Sequence, residues 1–120
     1  YSSFEYTDLQ LHRTTFTSKD TVLLSFKLTN TSTVAGDEVV QLYTHDELAS
    51  IARPVKELKG FQRVSLQPGE AKTVFFKLHA SMFAFPNEEM VEVTEPGAFR
   101  LMVGGSSKDI RLRTMLEYVR

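Results

Sequence analysis

The chain has 120 residues, 42% hydrophobic and 24% charged, with a formal net charge of −1; this is the profile of one globular domain with a two-layer core, not of a disordered chain. Neither half carries a basic excess, which argues against a nucleic-acid partner, and no apolar run approaches the roughly 18–20 residues needed to cross a bilayer. With no cysteine, disulfides, thiolate chemistry and thiolate-bound zinc are excluded.

The chain opens at Tyr1 without an initiating methionine or signal peptide and reads as a piece of a longer polypeptide. A first strand is expected over 3–12. Val22, Leu24, Phe26 and Leu28 alternate with Leu23, Ser25, Lys27 and Thr29, the period of two that marks a strand with one buried face over 21–30. "NTSTVAGDE" (30–38) is a polar connection, and its "NTS" matches the glycosylation sequon, a weak three-residue signal. The next strand, 37–45, is apolar on both sides from Val39 to Tyr43, as a strand covered on both faces would be. A fourth strand is expected over 54–65. "QPGE" (67–70) follows: proline presets the first central φ and glycine takes the positive φ of a type II turn. Val74, Phe76 and Leu78 then alternate through a strand at 71–79, and "ASMFAF" (80–85) reads as one helical turn. "EPGA" (95–98) repeats the proline–glycine turn. Phe99, Leu101 and Val103 mark a strand at 98–104, "VGGSS" (103–107) a reversal, and Ile110, Leu112, Leu116 and Tyr118 a last strand at 109–118. About seven short strands separated by turns predict an all-β, antiparallel sandwich in a single domain over 1–120.

Catalytic equipment is sparse. His45-Asp46-Glu47 is the densest titratable cluster, but neighbours on a strand point to opposite faces, poor geometry for one metal, so the cluster reads as a solvated loop. His12 and His79 are isolated surface or rim histidines. The acid pairs Asp37/Glu38, Glu88/Glu89 and Glu92/Glu95 fall in turns or on outer faces, whereas a retaining glycosidase needs two carboxyls about 5 Å apart in a cleft. Ser81 near His79 is no triad, and "VGGSS" leads into a strand, not a helix, so it cradles no phosphate. No cofactor and no metal is expected. Tyr43, Phe75, Phe83 and Phe85 offer two readings: a platform for sugar stacking, or rings covered by another domain or by the 80–92 segment.

The run "RPVKELKGF" (53–61) decides among function classes. Together with "TNT" (29–31), "AGDEVVQLY" (35–43), "QPGE" (67–70) and "EPGAFRLMVGGSS" (95–107), it closely resembles the C-terminal fibronectin type III-like domain of glycoside hydrolase family 3, the β-glucosidase and β-xylosidase family. The likeness covers essentially the whole chain and implies an immunoglobulin/fibronectin type III-like fold. In such enzymes a first domain, often a (β/α)8 barrel, supplies the nucleophile, and a second usually supplies the acid/base. The resemblance therefore gives this chain no catalytic residue. It implies a noncatalytic brace partnered by the catalytic domains of the same polypeptide, oligosaccharide contact only through the parent enzyme, and a periplasmic or secreted location.

The residues of 53–61 agree with that role. Arg53 is held extended by the proline after it. Pro54 cannot donate to a ladder, which marks an edge strand or its entrance. Lys56, Glu57 and Lys59 decorate the edge, and Gly60 permits a bulge or close approach before Phe61. The interdomain contact is assigned to Arg53, Lys56, Lys59, Phe61 and Tyr43, with Arg53 suited to a forked grip on a carboxylate or carbonyl. The plain alternative is edge protection by charge. A carbohydrate-binding module and an adhesion-type domain are the other readings.

Overall fold

The alternating runs become strands where expected in a computed structural model that describes residues 3–46, 56–86, 92–94 and 96–119. Among the described residues seven long strands occur: β1 (Phe4–Leu11), β3 (Thr21–Asn30), β4 (Gly36–Asp46), β5 (Glu57–Leu66), β6 (Ala71–His79), β9 (Gly97–Ser106) and β10 (Asp109–Tyr118). Three two-residue strands were not foreseen: β2 (Thr15–Phe16), β7 (Phe85–Pro86) and β8 (Glu92–Val93). The expected helical turn is a single 3-10 turn, Ala80–Phe83.

Two layers face each other. One sheet has the order β1-β3-β6, the other β2-β10-β9-β4-β5, and β7 pairs with β8. Among the described residues the long strands pair antiparallel, and only β2 joins β10 in parallel. Among the long strands, the chain changes layer between β3 and β4, between β5 and β6, and again before β9, the Greek-key wiring of such sandwiches.

The period-two residues meet between the layers. Val22, Leu24, Phe26 and Leu28 of β3 and Val74, Phe76 and Leu78 of β6 pack against Val40, Leu42, Phe99, Leu101, Val103 and Leu116 of the other sheet. Two aromatic groups anchor the core. Tyr6 stacks on Phe26 at 5.5 Å between ring centroids, while Phe83 sits 5.4 Å from Phe16 and 4.5 Å from Phe99. Such pairs stabilise beyond their area by about 0.5–1.5 kcal/mol each.

Several expectations change. Gln67–Glu70 is the predicted turn, with Gly69 at φ 76° and the Glu70 N–H donating to the Gln67 carbonyl at 3.0 Å. At the second proline–glycine pair, however, Gly97 takes φ 149°, far from the type II value of about +80°, and opens β9. β4 is not covered on both sides: Val40, Leu42 and Thr44 are buried, while Val39 is 40% exposed on the outer face. Doubly buried strands belong to sheets with a layer on each side; this sheet has one. Asn30 of the sequon is fully buried and serves the backbone instead of a glycan.

Candidate docking face

β5 is the last strand of its sheet, as the charges and proline of 53–61 predict; Arg53 and Pro54 themselves lie outside the described residues. Leu42 pairs with Gly60 but Tyr43 pairs with Leu58, so Lys59 is the extra residue of a bulge. Gly60 faces inward there, and a Cβ on it would lie 3.3 Å from the Phe76 ring. The bulge keeps Leu58 and Phe61 both on the outer face, opposite Tyr43 and Gln41.

Cross-strand pairing assembles the rest of that face. Residues directly opposite in an antiparallel pair share a side. Leu58, Tyr43, Met102 and Arg113 therefore form one row across β5, β4, β9 and β10, beside a row of His45, Arg100 and Met115. Of the six large hydrophobic residues exposed among the described residues, four lie on this face: Val39, Leu58, Phe61 (69% exposed) and Met115. Their concentration on one sheet face makes it the candidate docking face. Arg63 pairs with Asp37 at 2.7 Å at one end, and hydrogen bonds from Ser65 and Arg63 hold the Asp37 carboxyl below its usual range.

The five expected contact residues fare differently. Tyr43 and Phe61 sit on this face, with the Tyr43 hydroxyl donating to Gln41. Lys56 enters it from the β5 end, its Nζ bonded to the Ser107 carbonyl. Lys59 turns back to Glu57 at 3.3 Å and its side chain is only 18% exposed, so it is held by its own strand. Arg53 is outside the described residues.

At the loop end of the face is a cavity of about 180 Å³ lined by His45, Lys56, Arg100, Met102, Ile110 and Arg113. The expectation of a solvated His45-Asp46-Glu47 loop fails here. His45 and Asp46 finish β4 and are half-buried, and the His45 Nδ1 is buried without a hydrogen-bond partner; Glu47 lies outside the described residues. Arg100 and Arg113 went unnoticed in the sequence because only strand register brings them beside His45. Their outward phase in β9 and β10 was the available signal.

Among the described residues the expected aromatic platform does not form. Phe83 is 2% exposed, packed in the core by the 3-10 turn, and Tyr43 and Phe75 point outward from opposite layers. Phe75 stands instead over an open groove with Gln10, Leu11, His12, Leu23 and Ser25.

Glu38 and Asp109 come near each other around Gly105, whose added Cβ would lie 3.3 Å and 3.2 Å from their carboxylate oxygens. Both are engaged: the Tyr6 hydroxyl donates to Glu38 at 2.9 Å, and the Arg111 Nε donates to Asp109 at 2.6 Å. Burial, and then Glu38, push the Tyr6 phenol well above its usual range, so it acts as a donor and not as a base. Among the described residues no group of three metal-ligating side chains exists, and no helix is long and apolar enough to cross a membrane.

Fold and surface together define an antiparallel β-sandwich with an apolar outer face. The fibronectin type III-like domain model matches residues 38–107. A β-xylosidase of Formosa agariphila is 44% identical over 96% of this chain but only 16% of its own length. A periplasmic β-glucosidase of Salmonella typhimurium is 38% identical over 92% of this chain and 14% of its own. The crystal structure of a Listeria innocua β-glucosidase with glucose superimposes on the whole chain with a TM-score of 0.92 at 41% identity, covering 16% of that chain. The chain belongs to the fibronectin type III-like domain family, and its resemblance to the domain of that kind in glycoside hydrolase family 3 is borne out. It spans about one-sixth of the length of the relatives it matches.

Proposed function

We propose that this domain is a noncatalytic accessory module of a larger family 3 glycoside hydrolase, bracing the catalytic domains of its own polypeptide through the outer face of β4 and β5. The carrying observation is the clustering of Val39, Leu58, Phe61 and Met115, exposed on one sheet face. Tyr43, Phe61 and Lys56 are the contact residues on that face, with Arg53 on the adjoining segment and Lys59 fixing the bulge that aims Phe61. The parent enzyme hydrolyses terminal, nonreducing β-linked glucose or xylose with retention and works in the periplasm or outside the cell. The similarity to enzymes named β-glucosidase, β-xylosidase and periplasmic β-glucosidase supports this.

The test is to express the parent polypeptide with and without this segment. Deletion is expected to lower both the melting temperature and kcat/KM for a nitrophenyl β-glycoside. Full retention of both sinks the reading. A tethering module for polysaccharide retains one supporting feature, the exposed Phe75 ring over its groove. Titration with cello-oligosaccharides, followed by amide NMR shifts around Phe75, separates the two: saturable shifts favour tethering, flat spectra the brace.

A further inference from the structure

Among the described residues, no acidic side chain lines the cavity ringed by His45, Lys56, Arg100 and Arg113. Arg113 is exposed, and among the described residues no ion pair reaches it. His45 adds a buried nitrogen, Nδ1, with no hydrogen-bond partner. Fixed positive groups gathered around a half-buried floor, here the buried Met102 with Ile110, favour an anion.

Size and surroundings select the anion. At about 180 Å³ the cavity is smaller than the roughly 300–1,000 Å³ of ordinary small-molecule sites, so a nucleotide is too large and a single carboxylate fits. Met102 and Arg113 lie in the same cross-strand row as Leu58 and Tyr43, which makes the cavity continuous with the apolar face. A free anion would fill the cavity and leave the apolar rows bare. A polypeptide carrying an acidic residue beside apolar ones covers both.

We propose that this cavity receives the carboxylate of an Asp or Glu from a segment of the same polypeptide outside these 120 residues, presented by the partner surface that docks on the face. The inference rests on the docking reading above and gives it a chemistry. The guanidinium of Arg113 supplies the forked grip and Lys56 a neighbouring point charge. The carboxylate fixes the register of docking, while Phe61 and Leu58 supply the apolar area.

Zero-length carbodiimide coupling of the full-length polypeptide, read by peptide mass spectrometry, tests this. The Lys56 amine is expected to join an Asp or Glu outside residues 1–120, and Lys56→Arg to abolish that peptide. Arg113→Glu should cut its yield about tenfold, the size of losing one charge-assisted hydrogen bond, and Arg113→Lys less. Phe61→Asp is the control for docking itself. If it lowers the melting temperature while Lys56 couples only within the chain or not at all, the face docks and the carboxylate receptor is wrong. If Phe61→Asp changes nothing and no coupling appears, both readings fall. Stabilisation of the wild type by inorganic phosphate, lost in Arg113→Glu and without coupling, assigns the cavity to a free anion and overturns the proposal.

Discussion

Asn30 is a polar side chain with no exposed surface, and all its capacity is spent locally. Its Nδ2 donates to the Val34 and Leu66 carbonyls at 2.8 and 3.2 Å, and its Oδ1 accepts from the Ser32 N–H and hydroxyl. Its backbone ties the 67–70 turn to the end of β3 through Glu70 and Gly69. Asn30→Ala leaves two carbonyls and one N–H short of partners, and is expected to destabilise the domain by about 1–3 kcal/mol in denaturant unfolding. Asn30→Asp cannot donate and should cost a similar amount. The weakness of the sequon match has a physical reason: three letters specify a chemical acceptor but not its burial. At the β2–β3 turn, the Thr17 N–H donates to Asp20 at 2.8 Å, and that bond, the Thr17 hydroxyl and Arg13 hold the Asp20 carboxyl below its usual range. A carboxylate whose folded pKa is depressed contributes stability above its unfolded value of about 3.9, and that contribution is lost as pH falls through the folded value. Melting temperature should therefore drop more steeply below pH ~4 in the wild type than in Asp20→Asn.

The β9–β10 hairpin shows at element scale what one missing Cβ does. Register slips around Ile110, and an added Cβ on Gly104 would lie 1.9 Å from the Asp109 carbonyl oxygen, a backbone atom that cannot swing aside. Gly104→Ala is expected to cost about 1–3 kcal/mol, visible as a lower midpoint of unfolding, while Gly105→Ala, which meets only carboxylate side chains, costs less. The boundaries of 21–30, 71–79 and 109–118 were legible because alternation there is uninterrupted and reports burial directly. β2 was not, since two residues carry no period, and Phe16 is fixed by packing against Phe83 and Tyr118. That Phe83 is covered by this domain's own core was not legible, because a 3-10 turn can carry a connecting residue inward. Of the docking face, Phe61 and Tyr43 were legible from phase. The His45–Arg100–Arg113 cavity was not, because it depends on register between strands far apart in sequence, which one-strand patterns do not contain.

At the scale of the whole molecule, two layers close on one core, and the seam between them needs ties beyond apolar contact. Tyr6 belongs to the three-stranded sheet, while Glu38 and Arg111 belong to the five-stranded one. The phenol donates across the seam at 2.9 Å, the Arg111 guanidinium lies 5.5 Å from the same ring, and Arg111 also donates to the Phe4 carbonyl at 3.2 Å. Gln62 ties the opposite edge by donating to the Phe75 carbonyl. These ties hold β10 and β4 in fixed relation to β1, so the outer face of the five-stranded sheet is presented as one rigid surface. A rigid face loses little entropy on docking, as the proposed bracing role requires. Tyr6→Phe keeps the stacking on Phe26 but strips Glu38 of its partner. It should cost about 1–2 kcal/mol, since the acceptor is a carboxylate in a partly buried seam. The loss should appear as faster amide hydrogen exchange along β1 at its contact with β4 and β10, with the β4–β9 ladder protected as before. Equal loosening of both sheets, or no change in either, would show that the layers are held by their core alone.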